Sequence, residues 1–305
     1  MTDFNPLLEN LQERVVQDKP LKLIYAQNTY AVFNKGTTEF HGAEEEFIGD
    51  QPLEGVKWKK TLKSSDAENL PEVFSCKLKI IWDHFYYTIY NKKVMKRALQ
   101  SPVEMAALVD QLTDSMTTKP KLDLNKVLTK VICTKDNYNQ NAWEEITEEE
   151  ATIDNLDKAI AILRKIKAAA NGMVEPSDKY NKGYQKPNDT TWNKVVTNSE
   201  SRKSLVLTID PDFLDDLEIY FLADVARDSN LNPYKLFKEV IVKKLTNNAL
   251  AALHDEKSVV YRIINEDGIT HEQVFGSGNS KFGYHMTVIG GMIPFTNSWA
   301  LVKGA

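Results

Sequence analysis

The stretch EVFSCKLKIIWDHFYYTIYNKKVMKRALQSPVEMAALVDQLTDSM, residues 72–116, constrains the fold most. Its first part alternates. Phe74, Cys76, Leu78, Ile80 and Trp82 fall on one face, and Ser75, Lys77 and Lys79 on the other, which is the period of a half-buried strand. Asp83 and His84 interrupt the alternation, and Phe85, Tyr87 and Ile89 resume it, so a strand pair is expected. Ser101-Pro102-Val103-Glu104 then reads as a capping box, with serine at the N-cap, proline at N1 and glutamate at N3. Met105, Leu108, Val109, Leu112 and Met116 keep helical spacing after it. None of this needs a catalytic group. The stretch reads as the frame of a structural domain.

The rest of the chain has to pack around that frame, and 305 residues are enough for one large or two ordinary domains. With 42% hydrophobic residues a substantial core can form, and a net charge of −5 argues against a chain whose main work is wrapping nucleic acid. Cys76 and Cys133 both sit in apolar patterns and read as buried thiols rather than a disulfide or a metal pair, which points to synthesis inside a cell. The start MTDFNPLLENL has neither a basic opening nor an apolar run, so no signal peptide is expected, and no stretch is long enough for a membrane span.

Along the chain, Asn5-Pro6 opens a short helix ended by Pro20, and Leu21 to Phe33 is apolar and extended in character. Residues 34–72 carry Gly36, Gly42, Gly49, Pro52, Gly55 and Pro71 with few large apolar groups, chiefly Phe40, Phe47, Ile48, Val56 and Trp58. Such a segment cannot offset roughly 1–2 kcal/mol of backbone entropy per residue on its own. It reads as an extended two-stranded arm that serves assembly rather than folding, with Phe40, Phe47 and Trp58 as its subunit-interface residues. After the capping-box helix Pro120 is expected to end the helix, and Asp123 to cap a second one with Leu124, Val127, Leu128, Val131 and Ile132 inward. Thr152 is read as the cap of a third helix, with Ile153, Leu156, Ile160, Leu163 and Ile166 inward and Gly172 as its stop. Residues 173–203 read as a long loop, Ser204 to Ile209 as a strand, and Asp210-Pro211 as a helix start. Short strands around 240–242, 250–253 and 259–264 and an apolar β-rich end from Phe282 to Val302 complete an α+β order. One domain made from both chain ends, with a second inserted between them, fits that order.

Candidate chemistry is sparse. Asp210, Asp212, Asp215 and Asp216 invite a metal reading, but Asp-Pro followed by acids is an ordinary helix start, where carboxylates cap the first turn. Gly276, Gly278 and Gly283 lack the lysine and hydroxyl that a phosphate loop needs after its last glycine, and read as a turn. His41, His84, His254, His271 and His285 form no i, i+4 pair and none neighbours a cysteine, so zinc is not signalled. No serine sits in a Gly-x-Ser-x-Gly context. Lys92, Lys93, Lys96 and Arg97 form one basic cluster, and Lys57, Lys59 and Lys60 another; both read as solvated edges.

Phe33-Asn34-Lys35-Gly36, then Gly42 and Glu44-Glu45-Glu46, resembles the N-terminal pattern of major capsid proteins of small podoviruses. Residues 73–99 followed by the helix at 101–116 resemble that family's peripheral-domain sheet and spine helix. SLVLTIDPDFLDDLEIYFLA, residues 204–223, resembles its axial-domain strand and helix. Ala252 to Lys257 and Phe295 to Ala300 resemble its last segments. The resemblance is spread over most of the chain and rests on the order of weak matches. It implies the Hong Kong-type tailed-phage capsid fold. The expected parts are an N-terminal arm (1–33), an extended β-hairpin loop (34–72), a peripheral domain with spine helix (73–135), an inserted axial domain (136–270) and a return to the peripheral domain (271–305). It also implies a virion protein made in the host cytoplasm that assembles as pentamers and hexamers around packaged DNA. Scaffold and portal proteins would be partners, DNA contact non-specific, and no membrane, cofactor, metal or catalytic residue is expected. Lys57, Lys59, Lys60 and Lys63 lie where some such capsids cross-link, but no acid partner stands out. The competing readings are an encapsulin-like nanocompartment shell, a soluble metal-dependent two-domain enzyme using the acids near Asp210, and a monomeric binding module.

Overall fold

The computed structural model describes residues 28–38, 44–50, 73–90, 102–186, 189–224, 233–264, 270–274 and 279–304. In chain order, β1 (Asn34–Thr38), β2 (Glu44–Asp50) and β3 (Val73–Tyr90) precede the long α1 (Pro102–Ile132). Next come β4 (Trp143–Ile146), the short α2 (Glu148–Ala151), α3 (Leu156–Val174), β5 (Leu205–Ile209), α4 (Pro211–Asp224) and the single-turn α5 (Pro233–Leu236). The chain ends on β6 (Glu239–Val242), β7 (Ala249–Asp255), β8 (Val259–Ile264), β9 (Thr270–Val274), β10 (Asn279–Met292) and β11 (Ser298–Lys303).

These strands form two sheets. One has six strands in the order β1-β8-β10-β3-β2, with β9 paired to β10; the other has five in the order β4-β11-β7-β5-β6. The described residues fall into two compact units. The first takes the described residues that lie within 28–38, 79–129 and 261–291, the second those within 44–78, 130–260 and 292–304.

The stretch at 73–90 is one strand of 18 residues rather than a strand pair. Asp83 and His84 stay in it because both find places there: Asp83 pairs across to Thr287 and His84 to Met286. Val288 lies opposite Trp82 and Ile289 opposite Ile80, so Ile81 is an extra residue, a β-bulge. A one-residue slip exchanges faces. The bulge lies close to where the apolar positions of the sequence change from even to odd numbers.

Pro120 does not end the helix. α1 runs through it without a break for 31 residues and begins at Pro102, the expected N1 proline. A proline inside a helix removes one backbone hydrogen bond. Here Pro120 is itself buried, in a stripe with Met116, Leu124, Leu128 and Ile132 at four-residue spacing, and that burial offsets the loss. In the first unit Tyr30 and Phe33 are wholly buried, and the Tyr30 hydroxyl meets Thr129 Oγ1 at 2.9 Å. Residues 28–33 therefore belong to their own unit's core rather than to a free arm; residues 1–27 lie outside the described set.

The second unit centres on the five-stranded sheet. Ile162, Leu163, Ile166 and Met173 of α3 and Phe213, Leu214 and Leu217 of α4 share one cluster with Leu205, Leu207, Ile209, Leu253, Trp299 and Leu301. β5 is buried along its whole length, which is why it reads as an unbroken apolar run. Asn155, not Thr152, caps α3: its side chain accepts the Lys158 N–H at 3.0 Å. Thr147 with Glu150 forms a capping box on α2 instead. The acidic run 144–150 thus contains β4 and a helix turn. Gly172 lies inside α3, where a Cβ would come 2.4 Å from the Tyr180 hydroxyl.

The expected split into an inserted 136–270 and a returning 271–305 does not follow the strand pairing. β8 lies in the six-stranded sheet, while β11, near the C-terminus, is paired in parallel to β4 and antiparallel to β7 inside the five-stranded one. The reason is side-chain burial: Trp299, Ala300 and Leu301 are almost fully enclosed.

Candidate assembly surface

In the first unit β3 and β10 place Asp83 opposite Thr287, Phe85 opposite His285, Tyr87 opposite Gly283 and Ile89 opposite Lys281. Directly opposed residues share a face. On it Phe85, Tyr87 and Ile89 are 45%, 59% and 51% exposed, a line of large apolar groups that this chain's described residues cover only in part. The Phe85 and Tyr87 rings stack at 6.1 Å. The Lys281 ammonium lies 5.1 Å from the Phe85 centroid and 4.6 Å from the Tyr87 centroid, within cation–π range. Phe85 can lie across the strand because Gly283 has no Cβ, which would sit 2.0 Å from the ring. At one end Asp83 Oδ1 meets His285 Nε2 at 2.7 Å and accepts the Thr287 hydroxyl at 2.9 Å, and these two bonds hold its carboxyl below the usual range. The other face is anchored. Trp82 stacks on His84 at 3.8 Å, the Trp82 indole N–H donates to Tyr86 Oη at 3.1 Å, and that hydroxyl donates to Asp123 of α1 at 3.3 Å. Burial, with Asp123 beside it, pushes the Tyr86 phenol up to about 12. One face of β3 is thus tied down, and the other is free to meet a partner.

In the second unit β2 alternates between exposed and half-buried residues: Phe47 is half-buried, and Ile48 is 71% exposed. Gly49 lets the Phe74 and Phe295 rings come close, since a Cβ would meet Phe74 at 2.6 Å and Phe295 at 3.3 Å. Phe74 stacks on Tyr184 at 4.7 Å and meets Phe295 edge-on at 5.0 Å. The start of the expected arm therefore packs on its own unit. Of the three interface residues expected from sequence, Phe47 is here, while Phe40 and Trp58 lie outside the described residues. So do the basic clusters at 57–60 and 92–97, Lys63, His41 and the glycines at 276 and 278.

The acids near Asp210 are helix-start groups. Asp210 Oδ1 accepts the Asp212 N–H at 3.1 Å, and Oδ2 accepts the Leu245 N–H at 3.0 Å. Lys244 pairs with both Asp210 and Asp212. Both Asp210 oxygens are thereby occupied. Among the described residues no three His, Cys, Asp or Glu side chains converge to hold a metal ion, and the two cysteines are free, Cys133 buried and Cys76 half-buried. Burial pushes the Cys76 thiol up to about 11, away from reactivity. His254 is fully buried, with Nε2 2.9 Å from the Tyr138 hydroxyl, and burial pulls its pKa down to about 3.

The family described as Phi29-like phage major capsid protein matches residues 1–302. No individually curated protein matches the chain. Among solved structures, the capsid of Staphylococcus phage Andhra aligns with a TM-score of 0.62 at 10% identity, over 88% of this chain and 83% of that one. The capsid of the cyanophage P-SCSP1u aligns with a TM-score of 0.61 at 8% identity, over 94% and 91%. The virus-like particle from Pyrococcus furiosus aligns with a TM-score of 0.50 at 11% identity, over 99% and 100%. At such identities the likeness concerns the fold alone.

Proposed function

The chain belongs to the Phi29-like phage major capsid proteins and is a capsid shell protein, and from that premise we propose that its shell is built of pentamers and hexamers around packaged viral DNA. The family match over residues 1–302 carries this reading. The exposed strip Phe85, Tyr87 and Ile89 supports it, as a face that a neighbouring copy would cover. Scaffold and portal proteins are the expected assembly partners, and the virion forms from chains made in the host cytoplasm. A net charge of −5 suits a wall that contains DNA through non-specific contacts without gripping it. In this reading the chain is not an enzyme: Asp210, the buried member of the four acids that suggested metal chemistry, is spent on the start of α4 and on the 244–245 loop. The inserted part that the 136–270 expectation called axial corresponds to the unit built on the five-stranded sheet, and the unit with the six-stranded sheet and most of α1 to the peripheral part. A nanocompartment holding protein cargo is the second reading, favoured by the full-length alignment to the Pyrococcus furiosus particle.

The test is expression of the full chain with the other head proteins, followed by sedimentation, imaging and nuclease treatment. Closed shells that protect DNA are expected. Tyr87→Ser with Ile89→Ser should keep the subunit's melting temperature and lower the yield of shells. A stable monomer under all these conditions overturns the shell reading, and shells that carry only protein cargo favour the nanocompartment.

A further inference from the structure

A titratable cluster sits in the middle of the open face of β3 and β10. The bulge at Ile81 brings Ile80 opposite Ile289, so Ile80, 42% exposed, lies on the same face as Asp83, Phe85, Tyr87 and Ile89. Along β3 this face therefore reads Ile80, Asp83, Phe85, Tyr87, Ile89, a line of large apolar groups with a single acid among them. Asp83 Oδ1 receives two groups from β10, His285 Nε2 at 2.7 Å and the Thr287 hydroxyl at 2.9 Å. An ionised carboxylate only accepts, so Nε2 carries the hydrogen of the first bond, and the proton that His285 gains or loses is the one on Nδ1. The Asp83 and His285 side chains are 55% and 35% exposed, while Thr287 is buried.

The bond from His285, then that from Thr287, keeps Asp83 ionised to a lower pH than usual. The charge of the cluster is thus set by His285. With the imidazolium the pair is neutral; with the neutral ring it carries one negative charge. Other charges stand further off. Lys281 lies along the same face of β10, and Glu272 of β9 is opposite it. Arg262 is the one charged residue of β8, the other neighbour of β10. Lys79, opposite Gly290, is on the other face, and β2 pairs its Glu44 with Lys77. His84, Tyr86 and Asp123 of α1 are behind the sheet, and His84 adds the weakest pull on the Asp83 carboxyl.

We propose that His285 makes the shell contact of this face pH-dependent: a second copy closing over the strip binds more tightly when His285 is protonated, so mild acid strengthens the contact and mild alkali loosens it. This rests on the reading of the strip as an assembly surface. Closing an apolar neighbour over it takes the cluster out of water. A lone enclosed carboxylate is costly, and a hydrogen-bonded ion pair costs less. Thr287 supplies a further bond to Asp83 that needs no water. The covered state therefore holds more protons than the open one, and the contact strengthens as pH falls. Histidine suits the task because its charge changes between about pH 5 and 8. One proton taken up per contact changes the association constant by at most about tenfold per pH unit.

The test uses the full chain with the other head proteins at fixed ionic strength. Sedimentation gives the chain concentration at which half enters shells, from about pH 8 down to about pH 6.5, a window above the range where His254 lowers subunit stability. The wild type should need several-fold less chain at the acid end. His285→Gln keeps an amide donor for Asp83 but cannot take the proton, and should assemble without pH dependence. Asp83→Asn should reverse the sign, because an enclosed imidazolium then lacks its counter-charge. His84→Gln, on the anchored face, should keep the wild-type profile. Melting temperatures of the three variants check that each folds. A flat wild-type profile, or a His285→Gln profile as steep as that of the wild type, overturns the proposal and leaves the shell reading intact. A folded chain that forms no shells at any pH overturns the shell reading and this proposal with it.

Discussion

Asp210→Ala should destabilise the second unit far more than its helix-cap position alone suggests. The carboxylate is 6% exposed and makes two separate backbone bonds, to the Asp212 N–H in the first turn of α4 and to the Leu245 N–H in the loop after β6. Loss of the cap costs about 0.5–2 kcal/mol. The Leu245 bond is buried, and stranding that N–H costs a further ~1–3 kcal/mol. Together these come to roughly 2–4 kcal/mol, which for a unit of this size corresponds to a fall of roughly 5–12 °C in melting temperature. Lys244 is left out of this sum because its ammonium is fully solvated. Asp212 is the control: its side chain is exposed and reaches only Lys244, so Asp212→Ala should change the melting temperature little. Thermal unfolding of both variants and the wild type, followed by far-ultraviolet circular dichroism at neutral pH, decides it. Equal, small effects from the two substitutions would refute the idea that one carboxylate fastens α4 to the 244–245 loop.

His254 should make the chain acid-sensitive. Its folded pKa of about 3 lies below the usual histidine value, so the unfolded chain binds the extra proton first; stability is intact above about pH 6.5 and falls as pH drops toward 3, by about 2 kcal/mol between pH 6.5 and 5. Melting temperatures of His254→Gln between pH 7 and 5 should show a shallower decline than those of the wild type. Gly183→Ala should loosen the long loop, because Gly183 has φ +87 and a Cβ there would sit 1.9 Å from the Asn193 carbonyl oxygen. Limited proteolysis should cut that variant within 175–203 faster than the wild type, while an unchanged rate would contradict the close approach.

Local structure was legible wherever one segment carries its own signal. Leu205–Ile209 is buried on both sides and reads as a continuous apolar run; Asp210-Pro211 announces the helix after it; α3 shows its inward face at helical spacing. What failed depended on distant partners. Trp-Glu-Glu-Ile at 143–146 looks like the edge of an acidic run, and becomes a strand only because β11, some 150 residues later, lies beside it. Pro120 signals a helix end, and its own burial overrides that signal. For the assembly surface, the sequence names Phe85, Tyr87 and Ile89 as a set, since period two states that they share a face. It does not state which face the rest of the subunit covers, and these three turned out to be covered only in part.

The position of β11 has a consequence for the order of events as the chain emerges from the ribosome. β4 and β7 flank it, yet both are synthesised well before residues 298–303. Until those residues are released, the two flanking strands face an empty slot with unpaired backbone groups, and the contacts that Trp299 and Leu301 make in the cluster beneath α3 are missing. Pairings of such sequence separation are slow to form, because loop-closure entropy must be overcome first. A nascent or prematurely terminated chain should therefore stay non-native in this unit. Only a chain translated past residue 303 can present finished surfaces to its neighbours, so chains cut short before that point are excluded from the growing shell by their own failure to fold.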